Sequence, residues 1–130
     1  DRQGSNMSEK GLFCGTNVVQ DRTNVSALEK KHLPVIDCPD TVMAGEPFEV
    51  RISVGEIPHV MEETHHVQWI DVYFGQNYHA RVDLTPVFTR PEVTLTLVKG
   101  GKHRETTLRV VERCNIHGQW EASKQITISE

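Results

Sequence analysis

From Leu33 onward the chain is written as short runs of β-type residues separated by turn residues, and this alternation limits the folds open to it. The runs are Leu33–Asp37, Phe48–Val54, His66–Phe74, His79–Leu84, Val93–Val98, Thr106–Arg113 and Gln119–Ile128. In several of them apolar side chains recur at every second position: Phe48, Val50, Ile52 and Val54, and again Val67 and Trp69. A period of two suits a sheet with one buried face. Pro47, Gly55, Pro58, Gly75-Gln76-Asn77, Pro86, Pro91 and Gly100-Gly101 stand between the runs and supply corners and hairpin turns. No segment carries a helical stripe longer than two turns. The pattern predicts an all-β protein, an immunoglobulin-like antiparallel β-sandwich of about seven strands.

The lead-in to Ala27 is polar and lacks clean periodicity, so an extended or loosely packed segment is expected over residues 1–27. Its first six residues, before Met7, read as a vector remainder. Residues 28–130 are enough for one domain with a core of its own. No apolar run approaches the ~20 residues of a membrane span. The net charge is −4 and basic residues are dispersed, which argues against a nucleic-acid partner, since phosphate binding needs concentrated Lys and Arg. Three irregularly spaced cysteines do not form a disulfide framework, and a reducing cytoplasm is the expected compartment.

Seven histidines stand in these 130 residues, and their positions carry the chemistry. Cys114-Asn115-Ile116-His117 precedes Gly118 between two expected strands; a thiolate and an imidazole three residues apart reach one metal if the chain turns between them. In "IPHVMEETHHVQWI", His59 and His65 flank a polar loop that lets both face one centre, whereas a straight strand would hold them ~20 Å apart. His66 would point the other way and reads as structural or surface. His32, in "EKKHLPVI", opens the first expected strand. Each histidine alone is compatible with a solvated loop residue. Together they place four imidazoles and one thiolate at strand edges, which is odd for a closed tetrahedral zinc site and suits iron with five protein ligands and one open position.

The segments "KHLP", "PHVMEETHH…WI" and "CNIHGQW", in that order, resemble the superoxide reductases, the neelaredoxin and desulfoferrodoxin group, over roughly Val25 to Glu121. The resemblance implies an immunoglobulin-like sandwich carrying one iron, Fe2+ when active and Fe3+ after turnover. It implies His32, His59, His65 and His117 as equatorial nitrogens and Cys114 as the axial sulfur. It also implies superoxide as substrate, a one-electron reduction to hydrogen peroxide, and a homo-oligomer, dimer or tetramer. The electron donor would be rubredoxin or another small redox protein. "LFCGTN" resembles a worn remnant of the rubredoxin-like domain of two-iron relatives; with Cys14 alone left of its four cysteines, a second iron is not expected. Cys38 falls outside the pattern and reads as a small buried residue.

One departure stands out: the family's usual Glu-Lys-His reads Lys30-Lys31-His32 here. The family glutamate closes the sixth position of oxidised iron. Glu29, one residue earlier on an extended chain, would point away, so water, hydroxide, Glu62 or Glu63 is expected to fill that place. Lys30 and Lys31 are the candidate catalytic residues: both add positive charge for an anionic substrate, and Lys31 is the expected proton source, directly or by ordering a water. Two other readings stay open on the residues alone. A copper electron carrier would want two histidines and an axial Met after His117, and an adhesion module would leave the histidines incidental.

Overall fold

The computed structural model describes residues 11–101 and 103–130; the vector remainder read in residues 1–6 lies outside them. Among the described residues, strands form at Thr16–Asn17 (β1), Pro34–Asp37 (β2), Thr41–Met43 (β3), Pro47–Val54 (β4), Val67–Phe74 (β5), Asn77–Asp83 (β6), Glu92–Val98 (β7), Glu105–Cys114 (β8) and Gly118–Ser129 (β9). One sheet runs β1-β9-β8-β5-β6, with β3 also on β9; the other runs β2-β4-β7. The seven expected strands are β2 and β4 to β9. The two not foreseen, β1 and β3, lie parallel along the start and end of β9, too short to show a period.

Inward side chains of both sheets form one core: Val50, Ile52 and Val54 of β4, Ile70, Val72 and Phe74 of β5, Leu108 and Val110 of β8, Ile126 and Ile128 of β9. Each such burial is worth roughly 1.5–3 kcal/mol. β4 follows its sequence pattern. The alternation of Val67 with Trp69 does not continue into the core, because the pairing of β5 with β8 shifts register between these two residues. Val67 stays buried, but the core positions after it are Ile70, Val72 and Phe74. Trp69 is half-buried beneath the guanidinium of Arg81, 4.2 Å from its ring centroid. A bulge changes which side of the strand each residue faces, and no period count foresees it.

A short helix, α1 (Ala27–His32), precedes β2. Its start is a capping box: the Ser26 hydroxyl accepts from Glu29 N–H, and Glu29 reaches back to Ser26 N–H at 2.8 Å. Leu33 is already extended before Pro34, which ends the helix. The lead-in packs on the domain: β1 pairs with Gln119 and Trp120, and buried Asn17 donates to the carbonyls of Leu12 and Gln119, both at 2.8 Å.

Candidate metal centre

Three connections at one end of the sandwich carry the five candidate ligands. His32 is the last residue of α1 and buried, so it closes a helix where a strand start was expected. Its Nδ1 lies 2.7 Å from the Leu28 carbonyl, the preceding turn's acceptor. His59, also buried, sits in the β4–β5 connection with its N–H on the Val54 carbonyl and its Nδ1 2.7 Å from the Val60 carbonyl. His65 returns the same connection through a tight hairpin with Glu62, whose backbone exchanges two hydrogen bonds with it. Cys114 ends β8, fully buried, and His117 follows in the turn to β9. Cys114 pairs with Gly118, whose φ of 79° closes that turn.

The donor atoms converge. One ligand atom each of His32, His65, Cys114 and His117 lies within 4.8 Å of all the others. His59 joins them, its Nε2 3.2 Å from His32 Nε2 and its ring centroid 4.7 Å from that of His65. His117 turns Nδ1 inward, 3.1 Å from His32 Nε2 and 3.7 Å from the Cys114 sulfur.

The chemistry of this donor set fits a cation. A carbonyl can only accept, so the Leu28 and Val60 oxygens fix the protons of His32 and His59 on Nδ1. Both Nε2 atoms then present lone pairs to each other at 3.2 Å. Protonation would relieve that, but burial opposes it: burial first, then the neighbouring histidines, pushes His32 down to about 4. Burial likewise lowers His59 and His117. His65 Nε2 is buried with no partner. Burial raises the Cys114 thiol, against backbone N–H groups of Ile116 and His117 that favour the thiolate; a cation is what would make it a thiolate here. Neutral imidazoles and a thiolate suit iron, copper or zinc better than a hard cation.

Neighbouring backbone explains the convergence. Ile57 N–H donates to the Lys30 carbonyl at 3.0 Å, tying the β4–β5 connection to α1. A Cβ at Gly55 would stand 2.5 Å from that same carbonyl, so only glycine permits the approach. Trp120, fully buried, stacks under His32 at 5.1 Å and donates its Nε1–H to the His117 carbonyl at 3.0 Å. Trp120 stands in a quoted motif and Gly55 among the turn residues, but nothing in their spacing told their roles. Glu112, two residues before Cys114 in the inward row, is fully buried with both oxygens unpartnered, and burial pushes its carboxyl up to about 9.

The other candidates divide. Lys31 is exposed and Lys30 half-buried in the last turn of α1, next to His32 in sequence. Glu29 does not point away on an extended chain: it is helical and buried, and its oxygens accept from Ser26 and Gln20 N–H at 2.8 and 2.9 Å. Burial would raise this carboxyl, but those bonds outweigh it and lower it. Glu62 and Glu63 are exposed. His66 is half-buried, its Nδ1 3.1 Å from the Glu62 carbonyl. Cys38 is half-buried, not buried, and Cys14 is exposed. The Met61 sulfur accepts from Val67 N–H at 3.4 Å, and no methionine follows His117 to serve as an axial copper ligand.

Known proteins share this fold. The sequence model of the desulfoferrodoxin family matches residues 24–123. The chain belongs to the superoxide reductase family. A relative in Methanocaldococcus jannaschii, provisionally named a superoxide reductase, is 46% identical over 117 residues, covering 89% of this chain and 97% of that one. Neelaredoxin of Megalodesulfovibrio gigas is 34% identical over 119 residues, 76% of this chain and 88% of its own length. The solved superoxide reductase (neelaredoxin) of Ignicoccus hospitalis superposes with a TM-score of 0.75 at 34% identity, covering 95% and 99%. Membership removes the adhesion-module and copper-carrier readings and accounts for the sandwich. Among the described residues no helix is long and apolar enough to cross a membrane.

Proposed function

We propose that this family member is itself a superoxide reductase, converting superoxide to hydrogen peroxide at one iron held by His32, His59, His65 and His117 nitrogens and the Cys114 sulfur. The observation that carries this is the His32–His59 contact: two lone pairs 3.2 Å apart, each fixed inward by a carbonyl behind its ring. Such rings are already turned as a cation would require. Iron held by these residues would supply the electron that superoxide takes up.

The remaining work falls to the chain's own residues. Superoxide needs one electron and two protons to become hydrogen peroxide. The cationic end of α1, with Lys30 and Lys31, offsets the acidic surface and draws the anion in. Lys31, exposed, delivers a proton or orders the water that does. The Glu29 carboxylate is engaged by two backbone N–H groups, which supports water or hydroxide, rather than Glu29, beside the oxidised iron. Restoring the ferrous state requires a one-electron donor, for which rubredoxin or a similar small redox protein is our reading. A cytoplasmic homo-oligomer, with residues 28–130 as the iron domain, completes the proposal.

The deciding experiment is a visible spectrum of iron-loaded, oxidised protein beside Cys114→Ser. A long-wavelength thiolate-to-iron band that disappears in the variant is the expected result. No iron uptake, or an unchanged spectrum in the variant, refutes the assignment.

A further inference from the structure

Two of the four histidines are oriented through their rings. The Leu28 carbonyl holds His32 and the Val60 carbonyl holds His59. His65 differs: among the described residues no ring hydrogen bond holds it, and its buried Nε2 has no partner. Its backbone is held on both sides instead, by Asn115. The Asn115 Oδ1 accepts from His66 N–H at 2.8 Å, and its Nδ2 donates to the Thr64 carbonyl at 3.0 Å. The Asn115 main-chain N–H donates to the His66 carbonyl at 3.1 Å. These partners, one N–H and one C=O, fix which way the amide points.

Asn115 directly follows Cys114 and begins the turn that ends at His117, so its three bonds join the two connections that carry four of the five ligands. We infer that Asn115 is a positioning residue that sets His65 against Cys114 and His117. This rests on the metal-site reading above. A primary amide offers a donor and an acceptor in one plane, which is what a clamp spanning Thr64 and His66 needs. Aspartate would keep the acceptor and lose the donor; alanine would lose both. What Leu28 and Val60 do for their histidines through the ring, Asn115 does for His65 through the backbone. Groups of this kind typically change metal affinity 10–100-fold when removed.

The test is an anaerobic titration of ferrous iron against a chromogenic chelator, with thermal melts of the metal-free proteins, on wild type, Asn115→Ala, Asn115→Asp and Arg81→Ala. Arg81 bonds Asp71 on the β5–β6 pair and serves as a control for general destabilisation. Asn115→Ala is expected to weaken ferrous binding by about 10–100-fold and to shift the thiolate-to-iron band. Asn115→Asp is expected to bind several-fold more weakly than wild type, although its added negative charge alone would tighten binding. Arg81→Ala is expected to melt lower with affinity within about twofold. Affinity within twofold in Asn115→Ala, a loss matched by Arg81→Ala, or tighter binding in Asn115→Asp overturns the inference. If Asn115→Ala does not fold, Asn115→Asp decides alone. A wild type that takes up no iron fails the metal reading instead, and the inference with it.

Discussion

Leu108, Val110, Glu112 and Cys114 form one inward row of β8, all fully buried, yet the two ends of that row are held by different physics. At the Leu108 end the neighbours are Phe74, Ile126 and other apolar chains, and exclusion of water is enough. At the Cys114 end the neighbours are imidazoles whose lone pairs face one another, held by backbone carbonyls and by one close approach at Gly55. The first region is stable as folded. The second is arranged at a cost that a cation offsets, so stability and function separate along a single strand.

Trp120 is where the separation breaks down, since it is a large, fully buried apolar ring set at the metal end, and the largest effect is expected there. Trp120→Ala should cost about 3–5 kcal/mol of metal-free stability in urea unfolding, and should also weaken iron binding because His32 loses its stacking partner. Trp120→Phe keeps a ring under His32 but gives up the bond to the His117 carbonyl, about 1 kcal/mol. It also leaves a cavity where the rest of the indole packed, so its cost falls between wild type and the alanine variant. A loss below 1 kcal/mol for the alanine variant would mean that the core does not extend beneath the metal end.

Gly55→Ala sharpens the contrast from the other side. A Cβ there meets the Lys30 carbonyl and the Lys31 carbonyl carbon, backbone atoms that cannot rotate away. The β4–β5 connection must move off α1 and take His59 from His32. We expect about 1–3 kcal/mol of destabilisation and a fall in ferrous affinity of about 10–100-fold. Equilibrium dialysis would detect it; unchanged affinity would show that the loop accommodates a methyl without parting the rings.

The same division explains what the sequence disclosed. The strands of the apolar body were legible because burial on one face writes a period of two, as Val50, Ile52 and Val54 do. Trp69 escaped because a register shift lies in how β5 meets β8, not in β5 itself. The five candidate ligands were legible as residue types at motif spacings. Their support was not: α1 was hidden in a six-residue segment whose one local sign was Ser26 followed three residues later by Glu29. Misreading it as extended gave Glu29 the wrong orientation and His32 the wrong element. Asn115, Gly55 and Trp120 act through long-range contacts, and no local pattern records which carbonyl a side chain will find.

Acid should loosen the metal end before the apolar body. His32 is held near 4 in the folded chain by burial, against an ordinary value of 6.5, and His59 and His117 are lowered in the same sense. Below 6.5 the unfolded chain takes up protons that folded His32 refuses until about pH 4. Metal-free stability contributed by the neutral ring is therefore complete above 6.5 and lost as pH falls from 6.5 toward 4. Urea midpoints measured from pH 7.5 to 4 should decline across that window, and His32→Gln should flatten the decline. A flat wild-type profile would show that the histidines are not excluding protons.

The smallest effect belongs to a residue outside both regions. Lys31 is exposed and makes no hydrogen bond or ion pair among the described residues, so Lys31→Ala should leave stability and iron affinity nearly unchanged. Its charge matters only to an approaching anion, and one charge near an open site is worth roughly tenfold in the superoxide step at low salt. Added salt should shrink that factor, since at 0.1 M ionic strength screening acts over about 10 Å. Pulse radiolysis at two salt concentrations separates this role from proton delivery. Steering predicts that the variant approaches wild type at high salt, whereas a lost proton donor keeps it slow at both and makes its rate follow buffer concentration. Wild-type speed at low salt would remove Lys31 from the mechanism and leave the cationic role to Lys30.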